Sequence, residues 1–482
     1  MDLNRRGVVL VIGFVVVLLQ LCNLASANMV FQVQHKFNKK FSLNQLKSHD
    51  TQRHGRLLAA ADLPIGGDRS PTSAALYYTK ITLGEPPNPY HVQVDTGSDL
   101  LWVNCIECDT CPTRSDLGVP LLLYDPEGSC TSKKIPCDDE FCTKTFDAPE
   151  NSDCKAGMPC QYACKYGDGS STAGYFVSDN IHLAKVSGNG QTTILNGNVT
   201  FGCGAKQSGE LSSTEQALDG IIGFGQAKTS VLSQLASSKK IKKTFSHCLD
   251  GNKGGGIFAI GEVVEPKVKT TPILDDKTHY NIELKSIDVN GDNLKLPTSI
   301  FDFMKNEGAV VDSGTTLAYF PDDVYKQLME KIMAAQPNNK PHTVEEFFKC
   351  YKYSGNIDEG FPVITFHFAN KLPLKVVPHQ YFFAVEDEWC IGFMNSNVQG
   401  KDGGDLTLLG DLVLSDKLVT YDIDNQVIGW TDYNCSSSIK VKDEESGNVY
   451  EVFARDLSSS HYAYSSRVIL GLFLFLAFVL IN

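Results

Sequence analysis

VQVDTGSDLLW at residues 92–102 and AVVDSGTTLAY at residues 309–319 are two versions of one pattern, and they lie 217 residues apart. Each version runs from β-branched residues into aspartate, a hydroxyl residue, glycine and a second hydroxyl residue, and then returns to apolar residues. An apolar pair followed by glycine comes later in each half, at residues 221–223 and at residues 408–410. Since both halves carry the same landmarks in the same order, the sequence indicates a duplicated lobe.

The chain around these landmarks is typical of short strands. Four apolar and β-branched runs are bounded by Gly, Pro, Asn and Asp: 77–83, 199–201, 280–289 and 363–368. Helical patterns stand out only at 231–238 and 322–335. A chain of 482 residues is too long for one small core, so we expect an all-β body of two lobes. Their expected bounds are 71–265 and 266–435.

The N-terminus, residues 1–27, has the three parts of a secretory signal peptide. Arg5 and Arg6 form the charged start, residues 8–19 form an unbroken apolar run, and residues 25–27 are the small residues Ala-Ser-Ala. An uncleaved membrane anchor is the alternative, but the apolar run is shorter than the about 20 residues that span a bilayer. We therefore expect the protein to enter the secretory pathway.

The C-terminus is also apolar, since residues 468–481 read VILGLFLFLAFVLI. A polar spacer precedes this run, and the small residues Ser458, Ser459 and Ser460 precede the spacer. This is the pattern for exchange onto a glycosylphosphatidylinositol (GPI) anchor, and a membrane-spanning tail is the alternative. The anchor makes residues 436–460 a polar linker and residues 461–482 a signal removed on maturation. It places the protein on the extracellular face of the plasma membrane.

Cysteine content and glycosylation motifs agree with secretion. Of 15 cysteines, Cys22 leaves with the signal peptide, and the remaining even number fits a set of disulfides. Asn198-Val199-Thr200 and Asn434-Cys435-Ser436 are acceptor motifs for N-linked glycans. The formal net charge of −13 makes nucleic acid a poor partner, because a phosphate backbone attracts the opposite charge.

Residues 28–70 differ in charge from the body that follows, since they are basic and the body is strongly acidic. Opposite charges would hold this segment on the body, and the attraction would weaken once the carboxylates of the body are protonated. We therefore interpret residues 28–70 as a basic pro-segment that binds its own chain. A solvated N-terminal tail is the alternative.

Asp95-Thr96-Gly97-Ser98 and Asp312-Ser313-Gly314-Thr315 resemble the two active-site loops of pepsin-like aspartic proteases. The cysteine run 105–111 and the segment Tyr166-Gly167-Asp168-Gly169-Ser170 are similar to those of the plant nepenthesin-like branch. With the two chain ends, the sequence resembles the GPI-anchored plant members of this family over residues 75–435. The resemblance implies an all-β, bilobal, pepsin-like double β-barrel with an active-site cleft between two homologous lobes.

Asp95 and Asp312 are the candidate catalytic pair. Two carboxyl groups held a few ångström apart cannot easily both ionise and therefore share a proton, for which aspartic proteases are the standard example. One member can deprotonate a water while the other polarises the peptide carbonyl, so the reaction needs no metal and no cofactor. The sequence has no nucleophile elbow around Ser and no His-Glu-x-x-His motif. We expect an aspartic endopeptidase that hydrolyses polypeptides at acidic pH, because deprotonation of both acids removes the proton donor.

The resemblance assigns supporting roles to six residues of these loops: Thr96, Gly97, Ser98, Ser313, Gly314 and Thr315. The first hydroxyl residue of each loop would tie the two loops together near the lobe interface. The second hydroxyl residue would donate a hydrogen bond to the outer carboxylate oxygen, which favours the charged form. The glycines would allow a close approach that a Cβ blocks.

Tyr166 matches the tyrosine of the flap, a hairpin that closes over substrate in this family. Gly167 and Gly169 would keep the hairpin mobile, and its closure would expel water. Asp168 stands where many pepsin relatives have Thr and adds a negative charge near the cleft. Trp102 is expected to pack against the flap tyrosine. An ordinary Tyr-Gly turn and plain core packing are the alternatives.

The resemblance also implies disulfide pairs for the remaining cysteines: Cys105–Cys108, Cys111–Cys203, Cys137–Cys160, Cys142–Cys154, Cys248–Cys435 and Cys350–Cys390. Cys130 and Cys164 are left over and are expected to pair with each other. A zinc site at Cys105, Cys108 and Cys111 is the alternative, but it would need a fourth ligand and a reducing compartment. We therefore expect no metal.

Two other classes of function remain open. Plant proteins of this fold exist that have lost catalysis and instead bind and inhibit glycanases, so a catalytically inactive binding or inhibitor protein at the cell surface is the first. An anchored cell-wall adhesion or scaffold protein is the second, but it would not require two Asp-hydroxyl-Gly loops. The presence of Asp95, Asp312 and Tyr166 favours the protease, which we expect to be a monomer.

Overall fold

The computed structural model describes most of the body of the chain. The described residues are 29–35, 77–146, 154–155, 157–166, 169–214, 217–239, 241–251, 254–344, 347–396, 407–443 and 447–454. The expected signal peptide, most of the expected pro-segment, Gly167, Asp168 and the chain beyond Ala454 lie outside them, and so do the candidate anchor serines. Among the described residues, no helix has the length and apolar content that crossing a bilayer requires.

The described residues are mostly strand. The strands are β1 Met29–His35, β2 Tyr77–Leu83, β3 Asn88–Asp95, β4 Leu101–Asn104, β5 Lys133–Lys134, β6 Gln161–Lys165, β7 Ser171–Gly188, β8 Gln191–Ser208, β9 Gly220–Gly223, β10 Thr244–Leu249, β11 Gly256–Ile260, β12 Val263–Glu265, β13 Lys269–Pro272, β14 Asn281–Ile282, β15 Leu284–Val289, β16 Asp292–Asn293, β17 Ala309–Val311, β18 Ala318–Phe320, β19 His342–Val344, β20 Phe348–Tyr351, β21 Ile364–Phe368, β22 Pro373–Val376, β23 Phe382–Val385, β24 Glu388–Ile391, β25 Phe393–Asn395, β26 Thr407–Leu409, β27 Lys417–Asp422, β28 Val427–Asp432, β29 Ser438–Lys442 and β30 Val449–Phe453. The α-helices are α1 Val231–Ser237, α2 Thr298–Asn306, α3 Asp322–Ala334, α4 Ile357–Gly360 and α5 Asp411–Leu414. The all-β prediction is confirmed.

The largest sheet joins the two halves of the chain. Its order is β13-β28-β27-β10-β11-β1-β2-β3-β9-β4-β8-β7-β5, and β6 pairs with β7. β2 also pairs with β7, which closes β2, β3, β9, β4, β8 and β7 into a barrel. The second half adds three smaller sheets: β14-β17-β26-β18-β25, β16-β15-β21-β22 and β19-β20-β24-β23. Strands of both halves therefore meet side by side where β10 pairs with β27.

The core continues through this junction as a row of buried aromatic rings. Phe245 of β10 stacks on Tyr421 of β27 with ring centroids 4.5 Å apart, and Tyr280 meets the same Tyr421 edge-on at 4.6 Å. On the other side of Phe245 lie Phe224 and Phe258. Offset and edge-to-face ring pairs of this kind add stability beyond the area that they bury. The two lobes thus share one apolar base beneath the candidate site.

The two predicted helical patterns are helices, and each buries one face. Helix α1 begins after Ser230, whose hydroxyl accepts a hydrogen bond from the Ser233 N–H, as an N-cap does. Helix α3 carries Asp322 and Asp323 in its first turn, where the helix dipole favours negative charge. Apolar spacing of three and four residues therefore identified both helices correctly.

Residues 436–460 are more than a polar linker, because part of them forms a β-hairpin. β29 pairs with β30 and with β12, which makes a three-stranded sheet. Ile439 and Val441 of β29 and Val452 of β30 are buried in one cluster with the Cys248–Cys435 disulfide. Their alternation with exposed polar residues gives one buried face, which is why this segment forms strands.

Six disulfides are present among the described residues: Cys105–Cys203, Cys108–Cys111, Cys137–Cys154, Cys142–Cys160, Cys248–Cys435 and Cys350–Cys390. The last two confirm the predicted pairs. The four in the first lobe involve the predicted cysteines in different partnerships. All three cysteines of the run 105–111 are in disulfides.

The pairs predicted as Cys105–Cys108 and Cys111–Cys203 are wrong because of strand pairing. β4 lies parallel to β8, and the Cys105 N–H donates to the Gly204 carbonyl at 3.0 Å. This register brings the Cys105 and Cys203 Cα atoms to 5.4 Å, within the usual range for a disulfide. Cys108 and Cys111 then pair with each other across a single turn.

The pairs predicted as Cys137–Cys160 and Cys142–Cys154 are wrong, because each observed disulfide joins two cysteines of similar burial. Cys142, in a π-helical turn at Phe141–Thr145, and Cys160 are both buried in one apolar cluster and bond to each other. Cys137 and Cys154 are both partly exposed and form the other pair.

The predicted Cys130–Cys164 disulfide is also not formed. Cys130 is exposed, and its N–H donates to the Glu85 carbonyl at 2.9 Å. Cys164 is instead a buried residue of β6, in the apolar cluster that contains Trp102 and Phe176. The two cysteines therefore belong to different environments within the first lobe.

Candidate active site

The first loop holds the Asp95 carboxylate with two hydrogen bonds. Asp95 is the last residue of β3 and has 0% of its surface exposed. The Gly97 N–H donates to Asp95 Oδ1 at 2.8 Å, and the Ser98 hydroxyl donates to Asp95 Oδ2. Both donors favour the ionised form of the carboxyl group.

The second loop repeats this arrangement at Asp312, which follows β17 and is 6% exposed. The Gly314 N–H donates to Asp312 Oδ1 at 2.6 Å, and Thr315 Oγ1 donates to Asp312 Oδ2 at 2.7 Å. The hydrogen bonds that the resemblance implied for Ser98 and Thr315 are therefore present. Gly97 and Gly314 contribute through their N–H groups, a part that the sequence analysis did not assign.

The two loops contact each other through Thr96 and Ser313. The Ser313 N–H and the Ser313 hydroxyl both donate to Thr96 Oγ1, at 2.9 Å and 3.1 Å. Both residues are 1% exposed. We call this contact the loop tie. It joins the residue after Asp95 to the residue after Asp312, so it brings the two carboxylate-bearing loops together as expected.

The two later landmarks, at Gly223 and Gly410, support these loops by close backbone contact. β3 runs parallel to β9, which ends at Gly223, and β17 runs parallel to β26, which is followed by Gly410. A Cβ at Gly223 would lie 2.5 Å from the Asp99 carbonyl carbon, and one at Gly410 would lie 2.3 Å from the Thr315 carbonyl oxygen. Only glycine fits at either position, which explains why an apolar pair plus Gly recurs in both halves.

Tyr166 lies at the tip of a hairpin formed by β6 and β7. The Tyr166 N–H donates to the Ser170 carbonyl at 2.8 Å, and the Gly169 N–H donates to the Tyr166 carbonyl at 2.9 Å. Tyr166 and Trp102 belong to the same buried cluster, together with Phe176. The structure therefore places the expected flap tyrosine and tryptophan in one apolar group.

His279 is a titratable group near both loops that the sequence analysis missed. It precedes Tyr280 and β14, is 8% exposed, and makes a hydrogen bond to the Gly97 backbone. Burial lowers the pKa of His279, while the negative charge of Asp312 and the bond to Gly97 act in the opposite direction. A single His before a strand has no sequence signal that could have identified this placement.

Comparisons with known proteins agree with this arrangement. The family profile described as "Xylanase inhibitor N-terminal" matches residues 77–262, and the profile described as "Xylanase inhibitor C-terminal" matches residues 279–432. Two Arabidopsis thaliana proteins, Aspartic proteinase 36 and Aspartic proteinase 39, are each 51% identical over 462 residues. The alignments cover 95% of this chain in both cases, and 94% and 95% of the two relatives.

More distant relatives share the same body. Aspartic proteinase nepenthesin-2 of Nepenthes gracilis is 28% identical over 377 residues, which covers 75% of this chain and 78% of that protein. The crystal structure of Basic 7S globulin from soybean superposes with a TM-score of 0.59 at 18% identity, covering 84% of this chain and 96% of that one, and so shares the fold. With two family profiles covering most of the body and relatives at 51% identity, the chain belongs to the plant aspartic proteinase family, among the relatives of the nepenthesins.

Proposed function

We propose that the protein is an aspartic endopeptidase in which Asp95 and Asp312 hydrolyse peptide bonds of polypeptide substrates at acidic pH. The observation that carries this proposal is the symmetry of the two loops. Each aspartate accepts one backbone N–H and one hydroxyl, and the loop tie joins the two loops. A fold that only binds a partner would not need two carboxylates prepared in the same way.

The reaction follows from two carboxyl groups that hold one proton between them. The ionised carboxylate takes a proton from water, and the water oxygen attacks the peptide carbonyl carbon. The protonated carboxyl group gives its proton to the carbonyl oxygen, which forms a tetrahedral diol. Collapse of the diol breaks the C–N bond as the nitrogen receives a proton, and the pair returns to its singly protonated state. In this proposal the proton is assigned to the pair and to neither aspartate alone.

The hairpin at Tyr166 is the proposed lid of this reaction. Its closure over a bound peptide would exclude bulk water from the carboxylates and strengthen their hydrogen bonds. The apolar cluster of Tyr166, Trp102 and Phe176 supports this part of the proposal, because it packs the hairpin against strand β4, which carries Trp102. Gly167 and Asp168 keep the roles of mobility and charge that the sequence analysis gave them.

We also propose that the enzyme is made as a zymogen. β1, at Met29–His35, lies inside the expected pro-segment and pairs with β11 and β2 of the body. Removal of residues 28–70 would take this strand out of the large sheet. The basic charge of the segment and the acidic charge of the body support the same role.

The proposed location is the outer face of the plasma membrane, with a GPI anchor at Ser458, Ser459 or Ser460. The proposed glycosylation sites, Asn198 and Asn434, are both exposed, as a glycan requires. We propose that the anchored protein is a monomer. Release of the protein from membranes by a phospholipase that cleaves GPI anchors would support the anchor, and retention would favour a spanning tail.

The decisive experiment assays peptide cleavage by the full chain after acidification, with and without pepstatin, an inhibitor of aspartic proteases. Asp95→Asn and Asp312→Asn should each abolish cleavage while the circular dichroism spectrum stays unchanged. Asp116→Asn is the matched control, because Asp116 is a surface residue paired with Arg114. Cleavage that persists in either catalytic variant would contradict the proposal, and a folded wild type without cleavage would favour the inactive binding protein.

A further inference from the structure

The four residues 224–227, which follow strand β9, are bonded to the backbone of the first aspartate loop. The Phe224 N–H donates to the Asp95 carbonyl at 2.6 Å, and the Gly225 N–H donates to the Ser98 carbonyl at 2.7 Å. We call residues 224–227 the bridge segment. The proposed hydrolysis gives this segment no part.

The far end of the bridge segment is held by a side chain of the same loop. The Ala227 N–H donates to Asp99 Oδ1 at 2.8 Å, and Asp99 directly follows Ser98 in the sequence. The bridge segment therefore makes three hydrogen bonds to the Asp95 loop within four residues. Because of these bonds, the segment and the loop should move together.

The bridge segment also contacts the second lobe. The Tyr280 hydroxyl donates to the Phe224 carbonyl at 2.6 Å. Gln226 Nε2 donates to the His279 carbonyl at 2.8 Å and to the Lys277 carbonyl at 3.4 Å. A side chain from each lobe thus donates to the backbone of the other lobe.

Tyr280 is bonded in turn to the strand that leads into the second aspartate loop. The Val311 N–H donates to the Tyr280 carbonyl at 3.1 Å, and Val311 is the last residue of β17, directly before Asp312. β14, which begins after Tyr280, pairs with β17. Tyr280 therefore holds the bridge segment with its side chain and β17 with its backbone.

The environment of Tyr280 fixes the direction of its hydrogen bond. Tyr280 is 0% exposed, and its ring meets Tyr421 edge-on at 4.6 Å. Burial raises the pKa of Tyr280 well above its ordinary value, so the hydroxyl stays a proton donor. A buried carbonyl that loses its donor is costly, so the bond to Phe224 should persist.

This path joins the two aspartate loops at points that the loop tie does not use. The loop tie connects the residues that follow Asp95 and Asp312. The path through Tyr280 starts at the Asp95 carbonyl and ends at the residue before Asp312. Two connections at different points limit rotation of one loop against the other as well as their separation. Both carboxyl groups must reach one water, so a displacement of about 1 Å can lower the rate about 100-fold.

We propose that Tyr280 is a positioning residue for peptide hydrolysis, which holds the loops of Asp95 and Asp312 at a fixed distance through the bridge segment. This inference rests on the proposed function. Since Tyr280 is fully buried, it acts through the two loops and not on the substrate. No comparison or motif assigns this role.

The kinetic test is Tyr280→Phe in the full chain, which removes the hydroxyl and keeps the ring. It should lower kcat about tenfold with KM changed less than about twofold, because one buried hydrogen bond is lost and no substrate contact changes. Gln226→Leu removes the neighbouring contact, which is partly exposed, and should lower kcat about threefold.

Tyr381→Phe is the matched control. Tyr381 is also 0% exposed, and its hydroxyl donates to the Pro362 carbonyl at 2.7 Å within the second lobe. This variant should lower the midpoint of denaturant unfolding about as much as Tyr280→Phe does, but leave kcat unchanged. A kcat loss as large as that of Tyr280→Phe would show an effect of stability alone and overturn the proposal.

Hydrogen exchange gives a readout that does not depend on activity. The amides of Phe224 and Val311 bond on either side of this path, the first to Asp95 and the second to Tyr280. Both should exchange faster in Tyr280→Phe than in Tyr381→Phe, because only the first variant loosens the connection between the loops. Equal exchange in the two variants would overturn the connection.

The remaining outcomes separate the two proposals. An active wild type with unchanged kcat in Tyr280→Phe would overturn the positioning role and leave the proposed function intact. A folded wild type that cleaves no peptide, with the expected exchange difference present, would overturn the proposed function and with it the role of Tyr280 in hydrolysis. Should Tyr280→Phe fail to fold, Gln226→Leu decides the result, and an unchanged kcat there would overturn the proposal.

Discussion

The loop at Asp95 and the loop at Asp312 hold their carboxylates in the same way. In each, a glycine N–H and a hydroxyl donate to the two carboxylate oxygens. Each loop also leaves a strand that runs parallel to the strand carrying the apolar-pair landmark. The lobes around them differ, because the first carries four internal disulfides and the second carries one, Cys350–Cys390, among the described residues.

The contrast shows that the two halves match in the hydrogen bonds of their Asp loops and differ in the disulfides around them. Changes to the loops should therefore have matching effects on activity. Changes to the disulfides and the sheet should have unequal effects on stability. Each prediction below tests one side of this comparison.

The largest effect is expected from the aspartates themselves. Asp95→Asn and Asp312→Asn should each lower kcat/KM by about 10⁴-fold, because either change removes the shared proton chemistry. The double variant should be no worse than either single variant, since the pair acts as a unit. Steady-state kinetics at acidic pH measure all three. A large difference between the two single variants would break the equivalence of the loops.

The disulfides should separate the lobes in stability. By loop-closure entropy, replacing the pair Cys105 and Cys203 by Ser, which opens a separation of 98 residues, should cost about 4.7 kcal/mol of unfolding free energy. Replacing Cys108 and Cys111, separated by 3 residues, should cost about 1.6 kcal/mol by the same relation. Denaturant unfolding at neutral pH gives both values. Equal losses of unfolding free energy for the two replacements would contradict this prediction.

Acid should destabilise the protein through protonation of the buried His247 on unfolding. The folded pKa of His247 is lowered to about 3 from 6.5, so the unfolded chain binds the extra proton first and stability falls as pH drops below about 6.5. Between pH 7.5 and pH 4 this should cost about 3 kcal/mol in the wild type. His247→Gln should lose less stability over that range than the wild type.

The matched control for this pH effect is His367→Gln, which changes a partly exposed histidine of the second lobe. It retains the buried His247 and should therefore lose more stability in acid than His247→Gln does. Unfolding free energies at the two pH values decide the matter. Equal losses in the wild type and His247→Gln would contradict the burial of a neutral ring.

The smallest effect is expected from the outer hydroxyls. Ser98→Ala and Thr315→Val each remove one hydrogen bond to a carboxylate, so kcat/KM should fall about tenfold. The two variants should lose activity to a similar extent, because the two hydroxyls donate to their carboxylates in the same way. Steady-state kinetics of each variant at acidic pH test this.

Much of the fold and of the candidate site followed from local patterns. The alternation of apolar residues predicted the strands, and the spacing in 231–238 and 322–335 predicted helices that are present. The roles of Thr96 and Ser313 followed from a resemblance carried by four consecutive residues in each half. These features are local, or repeated locally, and so can be read along the chain.

The features that were missed depend on contacts between distant segments. The polar composition of 436–460 concealed a hairpin, because its few apolar residues become a buried face only beside β12. His279 and His247 gave no signal, because neither belongs to a motif. The order of the cysteines in the sequence allows many disulfide pairings. The four pairs observed in the first lobe differ from the predicted ones.

The sequence alone determined that this protein has two matching Asp-hydroxyl-Gly loops on a duplicated, mainly β body, since residue order and periodicity carry that information. The tertiary structure alone decided which cysteines pair, that Gly223 and Gly410 lie against backbone, and that the buried His247 lies beside the Tyr421 hydroxyl. The physical reason is that disulfides, close backbone approaches and buried hydrogen bonds require atoms within a few ångström. Strand register across the sheets sets those distances. The residues next to a given position in the sequence do not reveal that register.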